Sequence, residues 1–246
     1  MKLLVCISKT PDTTSKIGFI GEGTKFDAAG IQFIMNPYDE WYALVRAIDL
    51  AKATNGTVTL INVGSADTDQ IIRKGLALDA NDAVRIDSEP TSALFTAYQI
   101  AQYAKTNNYD IVFTGKETID YNGSEVGAMI AEYLDMPFIS YASKLDMTGN
   151  TATIERDIEG GIEVVELETP FVVSAAKGMA EQRIPNMMGI MKAKSKPLAV
   201  VAAQPFDDPS VATHFQTPPA KAGVKMIAPD DMAQLVTLLH REAKVI

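Results

Sequence analysis

The chain has 246 residues, 47% of them hydrophobic and 22% charged, with a formal net charge of −9 at pH 7. That balance fits an ordinary globular protein, large enough to build a core without disulfide or metal support. The acidic charge argues against a general nucleic-acid or anionic-membrane binder, and no apolar run approaches the length of a membrane span.

In chain order, Lys2–Ser8 reads as a buried first strand. It holds the one cysteine, Cys6, so no intrachain disulfide is possible, in agreement with a reducing compartment. The opening apolar run is too short for a signal peptide and lacks a small-residue cleavage site, so a cytoplasmic location is expected. Pro11, Asp12 and two threonines end the strand. Four glycines within Lys16–Phe33 suggest a small hairpin. Met35-Asn36-Pro37 then predicts the start of a long helix, with Asn36 as N-cap and Pro37 at the first helical position. Trp41, Leu44, Val45 and Ile48 form its apolar stripe, and Asn55-Gly56 ends it.

Thr57–Val63 reads as the next strand, Thr68–Leu76 as a short helix, Ala83–Ile86 as a short strand and Pro90–Lys105 as an amphipathic helix. The most informative stretch follows, Ile111 to Met129. Its apolar start suits a buried parallel strand, it turns polar at Gly115, and a helical pattern resumes after Gly123. In an open α/β sheet such a loop lies outside the carboxyl end of its strand, where ligands bind. Small and polar residues ahead of the helix leave its first N–H groups free for an anion. The repeated strand–helix order predicts a parallel sheet with helices on both faces, and puts the loops after Ser8, Val63 and Thr114 on one rim.

After Pro137 come three strand-like runs, Phe138–Leu145, Thr151–Asp157 and Ile162–Leu167, with Gly160-Gly161 as the turn of a hairpin. Phe171–Ala176 is an apolar run that could rejoin the main sheet. Ala202–Gly223 carries four prolines and reads as an extended arm, and Asp230–Lys244 as a final amphipathic helix. The expected division is therefore an α/β domain over 1–196 and a C-terminal arm with a helix over 197–246.

With these elements placed, the chain resembles the β subunit of the electron transfer flavoproteins over nearly its whole length. The resemblance rests on Met35-Asn36-Pro37, on GKETID (Gly115–Asp120), on ERDIEGGIE (Glu155–Glu163), on IMKAK (Ile190–Lys194) and on AGVK (Ala222–Lys225), in register. It implies a three-layer, parallel-sheet, adenine-nucleotide-binding α/β domain of the HUP-like class, with a small antiparallel hairpin and a C-terminal arm that packs on a larger α subunit. It implies an electron carrier rather than an enzyme with its own substrate. FAD would be held mainly by α, and electrons would pass from flavin dehydrogenases, such as those of fatty-acid oxidation, to a membrane quinone-linked acceptor. The β subunit itself would hold a structural AMP or, in electron-bifurcating relatives, a second FAD.

Carried over, the nucleotide site would use Cys6, Asn36, Val63, Gly115, Lys116, Ile119, Asp120, Asn122, Gly123, Ser124, Glu125 and Val126. Asn36 reads equally as a helix N-cap, and Cys6 and Val63 as core residues contributing only backbone. The loop departs from the family pattern. AMP-binding members read D-D-D-x-N-Q-T-G after the isoleucine, where this chain has Asp120-Tyr121-Asn122-Gly123-Ser124-Glu125-Val126-Gly127. A carboxylate at Glu125 repels a phosphate. The bifurcating pattern, G-D-T-A-Q-V-G, shares Val126 and Gly127 but lacks Asn122-Gly123. Asp12 and Thr13 fall where the family touches the flavin. Met187, with Met188, Met191 and Arg183, falls in the loop (about 179–194) that docks on partner dehydrogenases, although a methionine cluster also reads as core.

His214 and His240 have no ligand-like spacing, so no metal is expected. No catalytic triad or paired-carboxylate arrangement emerges, as expected if a flavin carries the chemistry. A second reading, a stand-alone adenine-nucleotide-binding stress-type protein, lacks its late Gly-rich phosphate loop here and leaves the arm without a role. An ATP-using ligase of related fold would need a Gly-rich loop after the first strand, where the chain has Ser8-Lys9-Thr10-Pro11-Asp12.

Overall fold

The computed structural model describes residues 1–221 and 223–246. Ala222, the first residue of the Ala222–Lys225 motif, lies outside the described residues. In chain order the elements are β1 (Lys2–Cys6), β2 (Lys9–Pro11), β3 (Phe19–Ile20), β4 (Lys25–Phe26), β5 (Phe33–Met35), α1 (Asp39–Thr54), β6 (Thr57–Val63), α2 (Asp69–Leu76), β7 (Asp82–Asp87), α3 (Ala93–Lys105), β8 (Ile111–Gly115) and α4 (Val126–Leu134). Then follow β9 (Phe138–Thr148), β10 (Thr151–Ile158), β11 (Gly161–Glu168), β12 (Phe171–Ala175), α5 (Met187–Ala193), β13 (Leu198–Ala202) and α6 (Met232–Leu238), whose last turn widens over Leu239–Ala243.

Nine strands form one sheet in the order β11-β10-β9-β12-β8-β1-β6-β7-β13. The run from β9 to β13 is parallel, and β10 and β11 extend it antiparallel. Alternation along the central strands sorts the core into two layers. Leu3, Val5, Leu60, Ile111 and Phe113 face α1 and α2, while Leu4, Ile61 and Val112 pack with Phe95 and Ile100 of α3 and Ile130 of α4. The result is the expected three-layer α/β arrangement. From β1 the chain proceeds to β6 and β7 on one side, then returns across β1 to β8 and β12 on the other. That reversal places a topological switch point between β1 and β8, and a ligand crevice at their carboxyl ends.

The hairpin around Gly160 is not a separate small sheet. Its strands, and β9 before them, are longer than their apolar cores suggested and continue the main sheet. Polar residues such as Asp146, beyond the expected end of β9, join the ladder, and charge pairs offset the polarity of these strands: Lys144 meets Glu155 at 2.8 Å and Arg156 meets Glu163 at 2.5 Å. The sheet also claims Leu198–Ala202 as its other edge, beyond the boundary at 196 read from composition.

Asn36 and Pro37 do not cap α1. The helix begins at Asp39 with Tyr38 as N-cap, without a side-chain cap. Asp39 and Glu40 in its first turn complement the helix dipole instead. Asn55, in the left-handed region at φ 50°, ends it. Among the described residues no helix is long and apolar enough to cross a membrane.

Beyond Ala202 the chain is extended. Gln99 and Gln204 exchange hydrogen bonds of 2.7 and 2.8 Å, and Phe206 stacks on Tyr98 at 4.4 Å. Further along, Phe215 stacks on Phe19 at 5.4 Å and its N–H donates to the Gly23 carbonyl. Between these two anchors the arm runs over its own domain. The distal helix α6 has no buried residue.

Candidate functional site

A cleft of about 420 Å³ opens at the carboxyl ends of β1, β6 and β8, within the ~300–1,000 Å³ usual for small-molecule sites. Three close approaches shape it. A Cβ on Gly115 would lie 3.1 Å from Asp39 Cβ and Glu40 Cγ, so the end of β8 meets the start of α1 with no room to spare. A Cβ on Gly127 would lie 2.8 Å from Thr114 Oγ1 and 2.9 Å from Phe138, so α4 starts directly against β8 and β9. A Cβ on Gly64 would fall 2.7 Å from Asn62 Oδ1. Glycine at each position keeps the walls close and the space between them open.

Of the residues expected at a nucleotide site, Cys6, Val63, Gly115, Lys116, Asp120, Gly123, Ser124, Glu125 and Val126 line the cleft together. Asn36, Ile119 and Asn122 do not. Asn36 is fully buried behind the wall, where its Nδ2 donates to the Glu117 carbonyl at 2.9 Å and so supports the loop from beneath. Asn122 sits at the outer tip of a tight turn. Its N–H donates to the Thr118 carbonyl at 2.7 Å and its φ is 53°, a conformation Asn tolerates well. Ile119 is half-buried in the same turn. The turn closes when Thr118 N–H donates to the Gly123 carbonyl, which leaves Ser124 and Glu125 to lead into α4.

Sequence reasoning missed the polar floor. Asn62 and Thr114 line the cleft and are almost fully buried, yet Asn62 Oδ1 and Thr114 Oγ1 have no hydrogen-bond partner in the protein. Asn62 Nδ2 donates to the Ile7 carbonyl at 2.9 Å, which fixes the amide. Unsatisfied buried acceptors of this kind are costly, and a ligand hydrogen-bond donor offsets the cost. Asn62 was visible as the lone amide inside an apolar strand, TVTLINV, and Thr114 as the polar end of IVFT.

Glu40, also unforeseen, is buried at the base. It accepts from Ser8 N–H at 2.8 Å and Ser8 Oγ at 2.6 Å, tying the loop after β1 to α1. Burial pushes its carboxyl up to about 8, against the pull of the Ser8 hydrogen bonds. Neighbouring Asp39 is pushed up to about 6, again mainly by burial, with Lys116 opposing. Burial also raises the Cys6 thiol, which makes it an inert core group rather than a nucleophile. The arm crosses the cleft as well: Ser210, Ala212 and Phe215 line it.

Asp12 and Thr13 lie elsewhere. Asp12 lines a separate, more open depression with Lys16, Asp27 and Gln32, and accepts from Thr14 N–H and Oγ1 at 2.9 and 2.7 Å. Thr13 is exposed beside it. The methionine segment is a third region. Met187, Met188 and Met191 are 75%, 64% and 68% exposed on α5, so the core reading of that cluster is excluded. Arg183 does not offer a free charge: its guanidinium grips Asp49 at 2.7 and 2.8 Å, while its carbonyl accepts from Trp41 Nε1. Among the described residues no group of His, Cys, Asp and Glu has metal-site geometry.

Comparison with known proteins agrees with this architecture. The family model described as "Electron transfer flavoprotein domain" matches residues 24–205. The chain is 36% identical to the electron transfer flavoprotein subunit beta of Bacillus subtilis, over 100% of both chains. It is 34% identical to the protein of that name from Syntrophomonas wolfei, over 92% of this chain and 90% of the other. With its counterpart in Bradyrhizobium diazoefficiens it shares 32% over 100% of both.

Proposed function

The chain belongs to the electron transfer flavoprotein β-subunit family, and on that premise we propose that its cleft holds an adenine nucleotide while an α subunit carries the redox flavin. The observation that carries this reading is the pair of buried, unpartnered acceptors, Asn62 Oδ1 and Thr114 Oγ1, in the wall of a cleft at the switch point of the sheet. The exocyclic amine of adenine and the ribose hydroxyls are donors of the right kind for them. AMP and a second FAD are the two occupants the family implies.

The residues divide the work as follows. Asn62, Thr114 and the Ser8–Glu40 pair form a rigid polar base. Gly64, Gly115 and Gly127 let the walls of the cleft pack closely around it. The turn from Thr118 to Gly123, held from below by Asn36, orients the N-terminus of α4. The flavin supplies the electron chemistry, and this chain's part is to position and shield. FAD is held mainly by α, with Asp12 and Thr13 on the side facing it. The exposed methionines of α5 dock on flavin dehydrogenases, where an adaptable thioether surface suits varied partners. Electrons leave to a membrane quinone-linked acceptor, and the complex is cytoplasmic without membrane insertion.

The arm beyond Phe215 fits an α-subunit contact, because α6 exposes Met232 and Val236 and buries nothing against its own domain. Co-expression with the α subunit tests the assembly: a heterodimer with flavin absorbance is expected. A colourless complex, or no complex, overturns the reading.

A further inference from the structure

The charges around the cleft bear on what the adenine compound carries at its far end. Glu40, Glu89, Glu117, Asp120 and Glu125 line it, and so do two lysines, Lys9 and Lys116. Neither lysine is free. Lys9 Nζ lies 2.5 Å from Asp67 and Lys116 Nζ 3.2 Å from Glu117. Glu125 has no such partner: it is exposed, makes neither an ion pair nor a cap hydrogen bond, and is the residue that leads into α4. An anion approaching the first N–H groups of α4 gains from the helix dipole. The same approach brings it against the Glu125 carboxylate, with no unpaired cation among the described residues of the cleft to offset the repulsion. The buried acceptors of Asn62 and Thr114 lie at the strand ends, and Gly64 and Gly127 sit directly beside them. The buried floor therefore calls for donors, while the start of α4 beside it holds an anion less well as the ligand's negative charge grows.

We infer that Glu125 is a specificity-determining residue: it makes the cleft favour adenine compounds without a terminal dianionic phosphate over AMP itself. This rests on the cleft being an adenine site, as proposed above. A diester phosphate carries one charge and can still accept from the α4 amides. A monoester carries nearly two near neutral pH and meets the carboxylate with both.

The test is titration calorimetry on the full chain, dialysed free of endogenous ligand, with three probes: adenosine, which has no phosphate, the methyl ester of AMP, a singly charged diester, and AMP, a nearly dianionic monoester. The expected result at pH 8 is that AMP binds about tenfold more weakly than its methyl ester, a difference of about 1.4 kcal/mol. Glu125→Gln should bring AMP to within about threefold of the ester and leave adenosine unchanged. A second measurement uses the unaltered chain. Lowering the pH to about 5.5, below the second phosphate ionisation near pH ~6, should close most of the gap between AMP and its methyl ester titrated at the same pH, a comparison that cancels the protons Glu40 and Asp39 gain over that range. AMP binding as tightly as the ester at pH 8, or a Glu125→Gln variant with unchanged AMP affinity, overturns the inference and leaves the adenine site standing. Failure of all three probes to bind either protein overturns the adenine site, and this inference with it.

Discussion

The sheet domain and the distal arm treat apolar side chains in opposite ways. In β1, β6, β8 and β12 successive residues are buried on both faces, and Phe113 and Phe171 are wholly enclosed. In the arm, Val224, Met226, Met232 and Val236 stand in solvent, although the last helix reads as amphipathic in sequence. The first region satisfies its own hydrophobic surface. The second carries apolar surface that only another body can cover. The difference separates what this chain does alone from what it does in a complex.

The sharpest way to break that contrast is a matched pair of truncations. Phe113→Ala should cost about 3–5 kcal/mol of the isolated chain's stability, as expected for an aromatic removed from a closed core. Val236→Ala should change it by less than about 0.5 kcal/mol, while weakening association with the α subunit. Urea denaturation and a binding titration read the two effects. A large loss of intrinsic stability from the helix substitution would mean that the arm folds onto its own domain.

Next in size is Gly127→Ala. Its Cβ would meet Thr114 Oγ1 and Phe138, so about 1–3 kcal/mol should be lost, and ligand affinity with it. Denaturation of the variant checks the first and calorimetry the second. A neutral outcome would show that α4 can move away from β8 without consequence.

Smaller, and specific to the base of the cleft, is a pH effect. Glu40 titrates near 4.5 when unfolded and at about 8 in the fold, so the folded state holds its proton more tightly. Its contribution to stability is complete below the unfolded value and declines as the pH rises from about 4.5 to about 8. Glu40→Gln should flatten this decline, so the variant should gain on the parent chain at pH 8 to 9. Stability curves collected between pH 5 and 9 decide it. Identical slopes would show that Glu40 is ionised in the fold.

Removal of residues 216–246 should have the least effect on the isolated chain, about 0.5 kcal/mol or less, because α6 buries nothing and the Phe215–Phe19 stack is kept. The shortened chain should fail to co-purify with the α subunit. Retained association would place the contact elsewhere.

Much of this was legible in the residues. The apolar runs at Lys2, Thr57, Ile111 and Phe171 and the polar break at Gly115 announce a parallel sheet with a functional rim, because buried parallel strands leave continuous hydrophobic signatures. The arm was equally visible as a proline-bearing stretch. Other features were not, for identifiable reasons. Asn36 has the composition of an N-cap, but the tertiary demand for support under Glu117 takes its side chain elsewhere. Glu40 looks like an ordinary first-turn acid until the close approach of β8 buries it. Asn122 belongs to the loop motif, yet the turn closed by Thr118 points it to the outer tip. Arg183 reads as part of the docking loop until α1 brings Asp49 to it. For Asn36, Glu40 and Arg183 the deciding partner is distant in sequence, and local pattern carries no record of it; Asn122 is placed by the nearby Thr118 through a backbone turn that its side chain does not announce.

The central claim is that this subunit holds an adenine compound of its own in addition to the flavin of its partner. Native mass spectrometry of the co-expressed heterodimer, with adenosine, AMP or FAD in excess, tests it most directly. The account predicts two adenine-bearing ligands per heterodimer, one being FAD, and loss of the other alone when Gly127 is replaced. A heterodimer that carries a single FAD and takes up no second adenine compound under any of the three conditions contradicts it.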